Sequence, residues 1–82
     1  IEVSIISKEN EYYYQINITD ENNIKNVKIT LEDEEQVNTE VNEKTYSTEI
    51  KLQDNSSNRI IIEASNGNLT SIVKKKRSLP LN

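Results

Sequence analysis

The sequence predicts an all-β fold, an antiparallel β-sandwich of about seven short strands. Apolar and polar residues alternate with a period of two along several runs, which is the pattern of strands with one buried face. Clusters of Asn, Asp, Glu, Ser and Gly separate these runs at spacings of about 10–12 residues. Most of the apolar residues are Ile and Val, which favour strands.

Each predicted strand of the N-terminal half follows from its own alternation. The first run, IEVSI, alternates from Ile1. The second, YYYQINIT, places Tyr14 and Ile16 on an inward face and Tyr13 on the outward one. The third, NVKITL, places Ile29 inward between two polar neighbours.

The C-terminal half continues the pattern. QVNTEV is the weakest run, with Val37 and Val41 four positions apart, and TYSTEIKL, RIIIEAS and LTSIVKKKR complete the seven. The turn-forming clusters between the runs are KENE, DENN, EDEE, NEK, QDNSSN and NG. LEDEEQ has helix propensity, but no apolar stripe at helical spacing follows it. Its acidic residues are therefore interpreted as a turn or as the charged guard of an edge strand.

The inward positions of the seven runs define the predicted core. They are Val3, Ile5, Tyr14, Ile16, Ile18, Val27, Ile29, Leu31, Tyr46, Ile50, Leu52, Ile60, Ile62 and Ala64. Asn66-Gly67 between two apolar runs predicts a hairpin with a positive φ at Gly67. Pro80 cannot donate to a sheet ladder and is expected to follow the last strand. Residues 1–79 are thus the predicted module and residues 80–82 an exit linker.

The composition excludes several kinds of site. The 82 residues include no Cys and no His, which rules out disulfides, a Ser-His-Asp triad and the usual zinc ligand sets. All 14 acidic residues precede Lys74, and four of the 10 cations stand together from Lys74 to Arg77. An acidic body opposes nucleic-acid binding, and no apolar run reaches the roughly 18 residues of a membrane span. We expect no enzymatic activity and no cofactor.

Three blocks of the sequence resemble the bacterial Ig-like modules of surface proteins and large secreted enzymes. The blocks are ITDENNIKNVKITL, YSTEIKL and NRIIIEASNGNLTSI. The matching residues are Ile24, Lys25 and Val27 in the first block, Tyr46, Ile50 and Leu52 in the second, and Asn58, Ile60, Ile62, Ala64, Gly67 and Asn68 in the third. The chain departs from the family pattern after Ala64, where Ser65 replaces the usual Asp and the next loop is short.

The resemblance implies an immunoglobulin-like sandwich in a tandem array, used as a structural spacer or for cell adhesion on a Gram-positive surface protein. Its partners would be neighbouring modules of the same chain, with a glycan or a host protein as further ligands, and the module is expected to be a monomer. The chain does not begin with Met and is expected to be part of a longer exported protein, extracellular or at the cell surface. The alternative is an accessory carbohydrate- or protein-binding domain of a secreted hydrolase.

Acidic residues offer one candidate metal site. Asp20, Glu21, Asp33 and Glu63 have the oxygen ligands that calcium prefers. DENN lacks the spacing of an EF-hand loop, so the competing interpretation is a turn closed by bonds from side chains to the backbone. The shortened loop after Ala64 also weakens a cation site there.

Tyr13, Lys75 and Arg77 are the candidate ligand-binding residues. Tyr13 is the tyrosine of the YYY run that is expected to face outward, where a ring can stack on a sugar. Lys75 and Arg77 would share one face of the last strand and contact a polyanion. The competing interpretation is a strand end that passes the edge of the core into solvent, with lysines that discourage edge pairing.

Two further chemical roles, a glycosidase pair and an intramolecular cross-link, are opposed by the positions of the residues that they need. Glu34 and Glu35 are consecutive carboxylates, which suit a solvated turn better than a glycosidase pair. An intramolecular Lys–Asn cross-link, found in some Gram-positive sandwich modules, needs a buried lysine beside a buried carboxylate. Lys25 and Lys28 occupy polar strand positions instead.

Overall fold

The computed structural model describes residues 1–80, which form an antiparallel β-sheet with no helix. Its strands are β1 (Glu2–Lys8), β2 (Glu11–Leu31), β3 (Glu34–Lys51), β4 (Ile60–Ser65) and β5 (Thr70–Lys75). The sheet curls as a half-barrel, so the predicted all-β antiparallel class is confirmed. The described chain has no helix long and apolar enough to cross a lipid bilayer.

The described residues form five strands where about seven were predicted. The second and third predicted strands are continuous in β2, and the fourth and fifth are continuous in β3. The polar clusters DENN and NEK, predicted as turns, lie opposite each other, since Thr19 pairs with Thr45 and Ile24 with Glu43. Four residues of β2 there oppose one residue of β3. Such an irregularity bends a hairpin without reversing the chain.

β2 is the central strand and has different neighbours along its length. Its first half lies between β1 and the second half of β3. Its second half lies between the first half of β3 and β4, and β5 extends the sheet beyond β4. The sheet therefore has a three-segment part and a four-segment part, joined through the bend of the β2–β3 hairpin.

The long hairpin folds over at this bend. A straight strand of 21 residues would measure roughly 65–70 Å, yet the longest dimension of the molecule is 39 Å. The hairpin is therefore strongly bent, and buried side chains from both parts of the sheet belong to one core.

The bend gives the molecule two ends. The N-terminal end gathers Ile1, the bend at residues 20–24 and the β4–β5 turn at residues 66–69 around one cavity. The C-terminal end gathers the β1–β2 turn, the β3–β4 connection and the end of the described chain around another. The β2–β3 turn also lies at the C-terminal end, because Glu32 binds Arg59 there.

Most of the predicted core is confirmed. The buried apolar residues are Tyr14, Ile16, Ile18, Ile24, Val27, Ile29, Leu31, Ile50, Leu52, Ile60, Ile62, Ala64 and Leu79. Val3 and Tyr46 are half-buried against this core. Ile5 lies opposite the buried Tyr14 and so shares the inward face, as predicted, but it is 36% exposed because β1 is an edge strand with a neighbour on one side only. Ile24 and Leu79 were not predicted, since one lies in the bend and the other beyond the last strand.

The predicted hairpin at Asn66-Gly67 is confirmed as the connection between β4 and β5. Ser65 pairs with Thr70, so the turn contains four residues. Gly67 has a φ of 93°, as predicted, and this conformation strains residues with a Cβ. The amide of Asn66 and the carbonyl of Leu69 close the turn with a 3.1 Å hydrogen bond.

The backbone of the basic run returns to the fold, while the four cationic side chains from Lys74 to Arg77 are exposed. β5 ends at Lys75, and the backbone amides of Arg77 and Leu79 each donate a 3.0 Å hydrogen bond to the β3–β4 connection. These bonds bring the side chain of Leu79 into the core. Of the predicted exit linker, residues 80–82, only Pro80 belongs to the described part of the chain.

Candidate functional site

Tyr13 lies on the outer face of the three-segment part, the side that alternation predicts. The strand register places it between Ile6 of β1 and Lys51 of β3. Its hydroxyl donates to Glu11 Oε2 at 3.1 Å, and the Lys8 ammonium lies 5.1 Å from the centre of its ring. The half-buried ring therefore already contacts a cation of its own sheet.

Two ion pairs flank the ring. Lys51 Nζ lies 2.8 Å from Glu11 Oε1, and Lys8 Nζ lies 2.6 Å from Glu49 Oε1. The hydrogen bonds from Lys51 and Tyr13 hold the pKa of Glu11 below its usual range, and the bond to Glu11 raises the pKa of the Tyr13 phenol. The cluster thus stays charged at neutral pH, while its exposure to water limits what it adds to stability.

Polar side chains continue this face along β2. Gln15 and Asn17 follow Tyr13 at alternate positions, and Ser47 Oγ donates to Asn17 Oδ1 at 2.8 Å. Such a face presents one ring for stacking, with amide and hydroxyl groups for hydrogen bonds. These are the groups with which proteins hold sugars, although the single ring is a small platform.

The four candidate calcium ligands are not brought together. Asp20 and Glu21 lie in the bend, and Asp33 lies in the β2–β3 turn at the opposite end. Glu63 projects from β4 opposite Lys28. Within the described chain, no group of three or more acidic side chains has a metal-binding arrangement.

Asp20 instead connects the bend to the β4–β5 turn. Its Oδ1 accepts from the amide of Asn22 at 2.9 Å, and its Oδ2 accepts from Asn66 Nδ2 at 3.2 Å. Asn66 Oδ1 in turn accepts from the amides of Asn68 and Leu69. The competing interpretation of DENN, with side-chain bonds to nearby backbone, therefore describes Asp20 correctly.

Lys75 and Arg77 occupy different settings. Lys75 is exposed at the end of the edge strand β5, opposite Ile60. Arg77 lies beyond the strand, near Tyr14. Burial raises the pKa of the Tyr14 phenol, and Arg77 partly offsets that rise. Because β5 ends at Lys75, strand alternation does not place the two cations on a common face.

Glu32 is a carboxylate with several donors at the C-terminal end. Arg59 donates from Nε at 3.0 Å and from Nη2 at 2.7 Å to Oε2, while the Arg59 amide and Ser56 Oγ reach Oε1. The Arg59 side chain and amide hold the pKa of Glu32 below its usual range. A carboxylate kept ionised in this way is a poor general acid.

The structure places Lys25 beside an asparagine. Its Nζ donates to Asn42 Oδ1 at 3.1 Å across the bend, and both residues are exposed. An amide cross-link needs a lysine driven neutral by burial, with a buried carboxylate beside it. This exposed contact meets neither condition and is an ordinary charge-assisted hydrogen bond.

Asn58 is a buried polar residue whose structural role the sequence analysis missed. It is fully buried, and its side chain accepts from the Gln53 amide at 2.7 Å and donates to the carbonyls of Gln53 at 2.9 Å and Ser56 at 3.2 Å. Its own carbonyl accepts a 2.6 Å bond from the Tyr14 hydroxyl. Its φ is 51°, which Asn tolerates better than most residues. Its match to the third block of the family pattern was the only signal that marked it.

The chain matches no protein-family model, no curated protein and no solved structure. The described residues provide a scaffold with two distinct ends and a charged outer face around Tyr13.

Proposed function

We propose that this chain is a non-catalytic module with an immunoglobulin-like sandwich fold, a spacer or adhesive segment of a bacterial cell-surface or secreted protein. The order of strand pairing supports the fold. Divided at the bend, β2 and β3 each supply two segments, so that with β1, β4 and β5 there are seven segments in chain order. Strand pairing joins the first, second and fifth segments side by side. It joins the other four in the order fourth, third, sixth and seventh. Seven-stranded immunoglobulin-like domains distribute consecutive strands between two sheets in a similar way.

The placement of the termini is the observation that carries the spacer role. Ile1 lines the cavity at the N-terminal end, and Pro80 lines the cavity at the C-terminal end. The molecule measures 39 × 23 × 17 Å. A module that the chain enters at one end and leaves at the other adds its length to a row of neighbouring modules.

The terminal strands also suit a load-bearing role. β1 starts at the N-terminal end and β5 finishes at the C-terminal end, so tension through the termini acts along both strands. Antiparallel hydrogen bonds run perpendicular to the strands. The hydrogen bonds of each terminal strand would therefore bear the tension together and not one after another. β1 forms seven residue pairs with β2, and β5 forms six with β4.

Single-molecule stretching tests this role by comparing two directions of force. The chain is pulled first through its termini and then, in an Asn10→Cys variant, through position 10 and the C-terminus. Asn10 lines the same cavity as Pro80, so the second geometry peels β5 from one end. We expect a clearly higher unfolding force through the termini. An equal or lower force would contradict the load-bearing role.

A glycan-binding accessory domain of a secreted hydrolase is the second candidate, and the Tyr13 face favours it. Tyr13 has Gln15 and Asn17 beside it on the outer face of β2. A glycan array with the wild-type chain and Tyr13→Ala separates the two functions. Binding that is lost in the variant would favour the accessory role, whereas absence of glycan binding by the wild type is the result expected for a spacer. Tyr46→Phe is a matched control that leaves the outer face intact.

A further inference from the structure

The four-segment part of the sheet has two free edges of opposite charge. One edge is the first half of β3, which carries Glu34 and Glu35, and the other is β5, which carries Lys74 and Lys75. In the described chain, each of these edge segments pairs with a strand on one side only. All four side chains are exposed, and none of them takes part in an ion pair between described residues.

The opposite charges lie at the two ends of the same rows of paired residues. A row here is the set of paired residues that crosses the sheet from β3 through β2 and β4 to β5. One row begins at Glu34 and ends at Lys75, and the next begins at Glu35 and ends at Lys74. A third row begins at Val37 and ends at Val73. Each row thus ends in partners that suit one another: two Glu–Lys combinations and one Val–Val combination. Such pairs stabilise neighbouring strands when they stand opposite each other.

The strand directions allow these row ends to meet between two molecules. Each neighbouring pair in the sheet is antiparallel, so β5 runs antiparallel to the first half of β3. A second copy displaced sideways, without being turned over, would present its β3 edge to β5 in antiparallel orientation. The rows would stay aligned, with each lysine opposite a glutamate.

We propose that β5 of one molecule pairs with the first half of β3 of a second copy, extending the sheet from chain to chain. The proposal does not depend on the spacer function, since it concerns the lateral edges and not the ends. The interface is head-to-tail, so each copy keeps a free edge and the assembly grows in a line.

The charges also select which edges pair. Two β5 edges would bring lysines together and two β3 edges would bring glutamates together, so like edges repel. The pairing is weak and depends on concentration. Only a few residue pairs are available, Gln36 forms a bulge in the β3 edge, and Glu35 already accepts from Asn38 at 2.9 Å. Tethering or crowding of chains at a surface would raise its occupancy.

Sedimentation velocity of the full chain over a range of concentrations tests the proposal. We expect the average mass to rise with concentration, and the rise to shrink when ionic strength increases from about 0.01 M to about 1 M, where the Debye length falls to about 3 Å. The variants Lys74→Glu/Lys75→Glu and Glu34→Lys/Glu35→Lys should each associate about tenfold more weakly, because like charges then face each other.

An equimolar mixture of the two variants is the decisive sample. Each reversed edge then finds a complementary edge on the other variant, so the mixture should associate like the wild type although each variant alone associates about tenfold more weakly. Lys25→Glu/Lys44→Glu changes the net charge as much as the β5 variant does but alters the bend, and it should associate like the wild type. Circular dichroism confirms that the variants fold, as expected for exposed positions.

Hydrogen exchange locates the contact. Amides of β5 and of the first half of β3 should gain protection as concentration rises, while those of β1 should not. A wild type that stays monomeric at every concentration would overturn the proposal. So would variants that associate unchanged, or a mixture that fails to restore association.

Discussion

The two ends of the molecule are closed by asparagines in different surroundings. At the C-terminal end, Asn58 is fully buried and makes three side-chain bonds, all to backbone groups. At the N-terminal end, Asn66 is half-exposed, and its Oδ1 accepts from the amides of Asn68 and Leu69. Both side chains satisfy turn amides, but water can replace only the bonds of Asn66. Burial therefore decides the energetic weight of otherwise similar hydrogen bonds.

The neighbouring contacts increase this difference. The C-terminal end also holds the Tyr14 hydroxyl bond and the buried side chain of Leu79. The N-terminal end has the irregular pairing of the bend and an exposed Leu69, at 74%. We therefore expect local opening to begin at the N-terminal end and the C-terminal end to persist until global unfolding.

The largest effect should come from Ile62→Asp, which tests the core that both ends share. Ile62 is fully buried, and an unpaired carboxylate there carries a desolvation cost that a domain of this size cannot offset. We expect loss of the cooperative thermal transition measured by circular dichroism. Leu69→Asp is the matched control at an exposed position and should unfold like the wild type. A folded Ile62→Asp of unchanged stability would show that the core is wrongly assigned.

Asn58→Ala should have the next largest effect and probes the C-terminal end directly. It leaves the amide and the carbonyl of Gln53 without their partner in Asn58, removes one of the two donors to the Ser56 carbonyl, which keeps the Leu79 amide, and places Ala at a φ of 51°. We expect a loss of about 3–5 kcal/mol in the free energy of unfolding, measured with urea. Asn58→Gly removes the same bonds, but glycine adopts the positive φ without strain. The difference in free energy of unfolding between the two variants therefore measures the backbone strain of Ala at this position.

Asn66→Ala should cost much less, about 0.5–1 kcal/mol, because water reaches the amides that it exposes. The same urea titration measures it, and hydrogen exchange should show faster opening of the β4–β5 turn. If Asn66→Ala were as destabilising as Asn58→Ala, burial would not explain the difference between the ends.

The smallest expected effect is a change in the pH dependence of thermal stability that comes from Glu32 at the C-terminal end. Arg59 lowers the pKa of Glu32 in the folded chain, so this stabilisation is present above the unfolded pKa of about 4.3 and is lost as pH falls through the folded value. Thermal unfolding from neutral to acidic pH should show a shallower decline for Glu32→Gln than for the wild type. Glu11, whose pKa is also lowered, accounts for some of the remaining slope. Identical slopes would contradict a role for Glu32.

Local alternation predicted the strands and most of the core because it depends on neighbouring residues only. Tyr14, Ile16 and Ile62 were placed inward correctly for that reason, and Tyr13 outward. Ile24 was missed because the bend interrupts the alternation between it and Ile18. No local pattern reports such an interruption.

The candidate sites were less predictable, since they depend on residues distant in sequence. Asp20 and Asp33 both stand in acidic clusters that were predicted as turns, yet the bending of β2 places them at opposite ends of the molecule. Asn58 stands among polar residues in QDNSSN, and nothing in that segment distinguishes a buried asparagine from its exposed neighbours. Its burial results from Tyr14, 44 positions away, and from the chain around Leu79.

The strand runs, their inward faces and the positive φ of Gly67 could be predicted from local sequence, because side-chain alternation and glycine geometry act over a few residues. The joining of DENN and NEK in one bend depends instead on long-range strand pairing. A polar cluster reverses the chain or merely bends it according to the strand that lies opposite. Long-range pairing likewise decided which asparagine is buried and which charged edges remain free, since both depend on contacts between residues far apart along the chain.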